Sequence, residues 1–178
     1  MLTAMRLILL RHAKAEKAEP GMSDRDRALN ARGRSDAARM GAYMSQHGLA
    51  PDRSIVSPAR RTRETWEAAA AAFSPAPPVS YDERLYNARA ETILAVIREA
   101  GGSARTLLLI GHNPGVHESA CRLIAAGEVE ARERLNEGLP TAGLVVIDFA
   151  GENWQTLHAE GGRLERFVTP RSLRIAAD

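Results

Sequence analysis

Four apolar residues in a row, Leu7-Ile8-Leu9-Leu10, run directly into Arg11 and His12. So short a run, apolar at every position, predicts a strand from about Arg6 that is covered on both faces. Open α/β sheets take their ligands just past the carboxyl ends of such strands, which makes Arg11 and His12 site candidates. The stretch Thr106-Leu107-Leu108-Leu109-Ile110 repeats the device and ends in Gly111-His112-Asn113-Pro114-Gly115. If the two strands are parallel neighbours, both histidines face one crevice.

Between the two runs the periodicity changes. Lys14 to Arg27 is a polar stretch with a turn signal at Pro20-Gly21, and it reads as a long loop. Asn30 caps a helix predicted to run to about His47, with Gly48 just beyond its end. Ser54-Ile55-Val56 reads as a strand. Ser57-Pro58 then reads as the cap and first turn of a second helix, with Thr62, Trp66, Ala69 and Phe73 on one side, so Trp66 is assigned to the core. Ser74 to Pro78 closes that helix. Val79-Ser80-Tyr81, an acidic turn from Asp82 to Tyr86, and a helix bearing Ile93, Leu94 and Ile97 follow, ended by Gly101-Gly102. A further helix opens at Asn113-Pro114-Gly115 and carries Val116, Ala120, Leu123 and Ile124. Gly127 to Gly138 reads as a polar segment. Leu144 to Phe149 and Trp154 to Ala159 read as a hairpin turning at Gly151-Glu152-Asn153, and Arg163 to Arg174 as a basic tail docked by Leu164, Phe167 and Val168. Strands alternating with helices predict an α/β three-layer sandwich. Its central, mostly parallel sheet lies between helices, and the C-terminal hairpin supplies an antiparallel edge.

Composition narrows the function classes. A chain of 178 residues with 44% hydrophobic content suits one domain spanning 1–178. A net charge of +2 reflects nearly balanced charges rather than a nucleic-acid-binding face. No stretch is long enough to span a bilayer, and the run at Leu7 is too short for a signal-peptide core, so the expectation is a cytoplasmic protein without a membrane partner. The single cysteine, Cys121, excludes an internal disulfide and reads as a small buried hydrophobe in a helix.

Arg11, His12, Arg61 and His112 converge on one chemistry. Phosphoryl transfer needs positive charge around the equatorial oxygens and an in-line nucleophile, and arginine's planar fork fits those oxygens two at a time. A neutral imidazole can attack phosphorus and form a phosphohistidine. His12 is the candidate nucleophile, because adjacent cations discourage its protonation. A metal site built from His12, His112 and a carboxylate is the competing use of the imidazoles. The flanking arginines argue against it: they would repel a cation whose charge they already supply. The bland alternative, structural histidines at two strand ends, leaves the paired arginines unexplained.

Leu10-Arg11-His12-Ala13 resembles the Arg-His-Gly signature that opens the histidine phosphatase superfamily, the phosphoglycerate mutase-like enzymes, with alanine in place of glycine. Ser57-Pro58-Ala59-Arg60-Arg61-Thr62-Arg63-Glu64-Thr65 is similar to the family's Ser-Pro-x-x-Arg-x-x-x-Thr, which implies a second phosphate-binding arginine at Arg61. Gly111-His112 resembles the family's Gly-His strand end, implying that His112 binds the phosphoryl group opposite the nucleophile, with Asn113 beside it as a substrate contact. Asp24-Arg25-Asp26-Arg27-Ala28-Leu29-Asn30-Ala31-Arg32-Gly33, the short length and Leu139-Pro140-Thr141-Ala142-Gly143 resemble the compact SixA type, the phosphohistidine phosphatases. That likeness implies a third arginine near the phosphate at Arg27, with an ordinary surface charge as the alternative. Larger family members place a glutamate acid after the third strand. Glu83 is the matching position, the alternative being a loop carboxylate paired with Arg84.

The resemblance implies a phosphatase that uses no metal or other cofactor and passes through a phosphorylated His12. Its partner would be a phosphohistidine protein in signalling or phosphotransfer. The rivals are a phosphatase of small phosphate esters on the same site and a silent module that binds phosphorylated partners. His117 and His158 are expected outside the chemistry, the first one turn beyond His112 and the second exposed.

Overall fold

The apolar runs become strands β1 (Met5–Arg11), β2 (Arg53–Val56), β3 (Val79–Tyr81), β4 (Thr106–Gly111), β5 (Ile124–Gly127), β6 (Leu144–Phe149) and β7 (Gly162–Val168). In the computed structural model, which describes residues 4–177, they form one sheet in the order β3-β2-β4-β1-β6-β7-β5. β1 to β4 run parallel to one another, β6 is antiparallel to both β1 and β7, and β5 closes the far edge parallel to β7. The helices are α1 (Ala31–Gln46), α2 (Arg60–Ala70), α3 (Ala90–Ala100), α4 (Gly115–Leu123), α5 (Val129–Glu137) and α6 (Pro170–Ala177).

Strand alternation sorts the core into two layers. Leu7, Leu9, Leu107 and Leu109 pack under Ile93, Ile97, Val116 and Leu123 of α3 and α4. Ile8, Leu10, Leu108 and Ile110 pack under Met40 and Met44 of α1 and Trp66 and Ala70 of α2. The β1 residues Leu7 to Leu10 are wholly buried, and each such side chain stabilises the fold by about 1.5–3 kcal/mol relative to exposure. The long connection from β1 crosses to β2, which leaves β4 to fill the place between them. The carboxyl ends of β1, β4 and β2 therefore open into one crevice at the point where the strand order reverses.

Several expectations hold in detail. Asn30 caps α1 by accepting from the Gly33 amide at 2.8 Å, and Gly48, with φ of +67°, follows the helix end. Trp66 is buried in the core.

Others need correction. Ser57 does not cap α2: Ala59 stands at that position without a side-chain bond, and the Ser57 hydroxyl is turned to His112 instead. Trp154 to Ala159 is not a strand. Trp154 opens a 3-10 turn, lies buried beneath α3 and donates to the Ala104 carbonyl at 2.7 Å, so it cannot alternate along a sheet. On the side away from β1, the antiparallel partner of β6 is β7, most of it carved from the segment read as a basic tail, and the sheet's outer edge there is β5. The supposedly polar stretch from Gly127 contains α5, whose Ala131 and Leu135 are buried. Gly101 does more than end α3, because a Cβ there would lie 2.5 Å from the Trp154 ring.

Candidate active site

Parallel pairing of β1 and β4 sets Arg11 opposite Gly111, and the His12 amide extends the ladder by donating to the Gly111 carbonyl at 3.1 Å. The histidines that follow the two strands are thereby brought together, with ring centroids 5.4 Å apart and planes inclined at 54°. They line a cleft of about 200 Å³ together with Arg11, Lys14, Arg27, Arg61, Asn113 and Thr141. Every expected site residue except Glu83 borders it.

His12 is fixed by its own loop. Nδ1 lies 2.8 Å from the Ala13 carbonyl, which can only accept, so Nδ1 carries the proton and Nε2 keeps its lone pair. Burial pushes the ring's pKa down to about 4; the nearby guanidinium groups of Arg61, Arg11 and Arg27 add to the effect, and the Ala13 bond opposes it. His12 is therefore a neutral base at physiological pH. Ala13 is fully buried in a small cluster with Leu29, Ala37 and Ala142, and its amide donates to Thr65 Oγ1 of α2 at 3.0 Å. The residue after the histidine must therefore be small, and alanine meets the requirement. Gly33 lets the start of α1 press on the same loop, since a Cβ there would lie 2.1 Å from the Lys14 carbonyl oxygen.

His112 is buried and both its ring nitrogens are engaged. Arg61 Nη2 lies 3.2 Å from Nδ1 and can only donate, so Nε2 carries the proton and donates to Ser57 Oγ at 2.7 Å. Burial, with Arg61 and His12 contributing, pushes its pKa down to about 3. A bond from His112 to a phosphoryl oxygen therefore requires the Ser57 bond to be exchanged. In this arrangement His112 holds Arg61 in place.

The arginines differ in how firmly they are held. Arg61 is buried, donates to the Asp24 carbonyl at 2.9 Å and to Asp24 Oδ2 at 3.1 Å, and leaves Nε without a partner. Arg11 Nη1 donates to the Leu139 carbonyl at 3.0 Å, and its Nε is likewise buried and unpartnered. Arg27 borders the cleft while donating to the Glu16 carbonyl at 2.8 Å and Asp24 Oδ1 at 3.0 Å. Asn113 also borders it, but its amide is committed to the Leu139 carbonyl and the His117 backbone.

Glu83 stands apart. It is exposed and paired with Arg25 rather than with Arg84, which binds Asp82 and Glu99. The Arg25 bond holds the Glu83 carboxyl below its usual pKa, so at neutral pH it has no proton to give. His117 hydrogen-bonds the Leu135 carbonyl away from the cleft, and His158 is exposed, both as expected.

Three participants escaped the sequence reading. Asp24 ties Arg27, Arg61 and the Tyr86 hydroxyl together, and the Tyr86 bond, followed by those arginines, holds its carboxyl far below the ordinary range. Tyr86 lies edge-on to His112 at 5.5 Å. Ser57 is the third. Asp24 belongs to the same ten-residue motif that carries Arg27, and its spacing to that arginine was the available signal. Nothing local marks Tyr86.

The chain is similar to known proteins over most of its length. Residues 7–93 match the sequence profile of the histidine phosphatase superfamily, branch 1. An uncharacterised protein of Mycobacterium leprae is 32% identical across 91% of this chain and all of its own length. Among solved structures, the SixA protein of Agrobacterium tumefaciens, provisionally assigned as a phosphohistidine phosphatase, superimposes with a TM-score of 0.79 at 34% identity, over 93% of this chain and 98% of that one. Its counterpart from Nakamurella multipartitia, assigned in the same provisional way, gives 0.80 at 28% identity, over 94% and 96% of the two chains. With two strand-end histidines meeting among arginines in this fold, and with relatives matching almost end to end, the chain belongs to the histidine phosphatase superfamily.

Proposed function

We propose that the protein is a phosphatase that works without a metal through a phosphorylated His12, and that its substrate is phosphohistidine carried by a signalling or phosphotransfer protein. Family membership supports the phosphatase. One observation carries the mechanism: a neutral imidazole whose Nδ1–H is pinned to Ala13, leaving Nε2 as the nucleophile among the cations of Arg11, Lys14, Arg27 and Arg61. Nε2 forms a bond to phosphorus while the bond to the leaving group breaks and takes its electron pair with it. The arginines stabilise the spread of negative charge over the equatorial oxygens. Water then attacks phospho-His12, releasing inorganic phosphate and restoring the imidazole.

The leaving group favours phosphohistidine. An alkoxide needs a general acid, whereas the far nitrogen of a phosphorylated imidazole, with a reference pKa near 6.5, takes a proton from water and lets a neutral ring depart. Among the described residues no carboxyl lines the cleft, and Glu83 is ionised outside it. The two similar SixA proteins are provisionally assigned to the same substrate class, which adds support. The test is a side-by-side comparison of kcat/KM on a phosphohistidine peptide and a panel of metabolite phosphates, with and without chelator. A preference for the peptide, unaffected by chelator, is expected. Faster turnover of an ester would replace this substrate, and chelator sensitivity would remove the metal-free chemistry.

A further inference from the structure

A second and larger hollow, of about 640 Å³, adjoins the catalytic cleft and shares Lys14 and Thr141 with it. Its charged lining is Lys14, Arg32, Arg171, Arg174 and Asp36. Asp36 is buried and already committed: Arg174 Nη1 lies 3.2 Å from Oδ1 and Arg32 Nε lies 3.8 Å from Oδ2. Among the described residues, the side chains of Lys14 and Arg171 have no carboxylate partner. Four cations thus share one carboxylate beside a site built for an anion. α1 contributes Arg32 and α6 contributes Arg171 and Arg174, so the two helices hold these charges on one side of the cleft.

The geometry points to this hollow as the docking site for acidic side chains that flank the phosphorylated histidine of a protein substrate; the inference rests on the proposed function above. A pocket for a small molecule encloses its ligand and reads it with a few buried donors. Here the cations stand at the rim, with the Arg32 side chain 67% exposed. Exposed charges of this kind match carboxylates on an opposing surface and speed encounter more than they tighten grip. Lys14 borders both spaces, so an acidic segment lying in the hollow delivers its neighbouring phosphoryl group to His12.

The test uses two synthetic phosphohistidine peptides of equal length, one with Asp and Glu around the histidine and one with Asn and Gln, and the double variant R32Q/R171Q. Neither substituted residue belongs to the catalytic cleft, so turnover of p-nitrophenyl phosphate should be unchanged, which also reports correct folding. Wild type should favour the acidic peptide by about threefold to tenfold in kcat/KM, the scale of a few exposed charge pairs. The preference should sit in KM, shrink as salt is raised, and vanish in the double variant. Equal use of both peptides by wild type, or a preference that survives in the variant, overturns the docking site while leaving the phosphohistidine activity standing. Loss confined to small molecules carrying two phosphates would make the hollow a metabolite subsite and likewise overturn it. If wild type turns over neither peptide, the proposed function itself fails and takes this inference with it.

Discussion

The two halves of the sheet are paired differently and used differently. In the parallel half, β1, β4 and β2 each end at a residue that enters the site: Arg11 and His12, His112, and Ser57 with Arg61 just beyond. In the antiparallel half, β6 and β7 bury Val145, Ile147 and Leu164 and supply the frame, and among the described residues only the loop ahead of β6, through Leu139 and Thr141, reaches the cleft. Parallel strands deliver their carboxyl ends to the same edge, so a crossover that separates β1 from β2 gathers reactive groups from distant segments. Antiparallel neighbours point their carboxyl ends to opposite edges and cannot do so. Chemistry should therefore fail when the first half is altered, and stability when the second is.

The largest effect is expected at His12. His12→Ala should lower turnover of every substrate by on the order of 10⁴-fold or more and abolish radiolabelled phosphate on the protein, with the thermal midpoint little changed. Arg61→Lys keeps the charge but loses the fork that spans Asp24 and His112, and kcat should fall by on the order of 10²-fold. In the other half, Trp154→Ala removes a buried ring and its bond to Ala104, at a cost of about 3–5 kcal/mol in urea unfolding. Its kcat per folded molecule should match wild type. A Trp154→Ala protein that is fully stable but inactive would end the division of labour between the halves.

The pH dependence sharpens the same contrast. His12 and His112 have native pKa values of about 4 and about 3, below the free value near 6.5. As pH falls through 6.5 the unfolded chain takes up protons before the native site does. The stability that the neutral rings contribute is thus complete above 6.5 and lost progressively toward 4 and 3. Initial rates on an aryl phosphate, read as released inorganic phosphate, should persist at pH 5, where a free imidazole would be mostly protonated, and fall as pH drops through about 4. An inflection near 6.5 would mean that burial and the neighbouring guanidinium groups do not hold His12 neutral.

What could be read from the residues divides along the same line. The parallel half was legible because its signals are local. An apolar run abuts its polar stop, an Asn cap and a Gly terminator each sit right at an end of α1, and the strand-end positions of Arg11, His12 and His112 follow from such adjacent signals. The antiparallel half was misread because its register is set over distance. Trp154 has the composition of a strand residue, yet a hydrogen bond to Ala104 and a niche left by Gly101 hold it in a turn. The period-two alternation that forms β7, with Gly162 and Leu164 inside and Arg163 and Glu165 outside, was masked by its charge. Within the site the same limit hid Asp24 and Tyr86, whose bond joins segments far apart in the chain.

Glu83 is the smallest and most discriminating case, because motif position and geometry disagree there. Its place after β3 matches the acid of larger relatives, but its carboxylate is exposed and held ionised by Arg25. A fully exposed ion pair of this kind is screened by solvent, adds little to stability and has no proton to offer. Glu83→Gln should therefore change kcat/KM by about twofold or less, on aryl phosphate and phosphohistidine peptide alike. A large loss confined to the aryl phosphate would place the carboxyl on the leaving oxygen during turnover, and would require the turn from Asp82 to Tyr86 to swing over the cleft and surrender its pairing with Arg25.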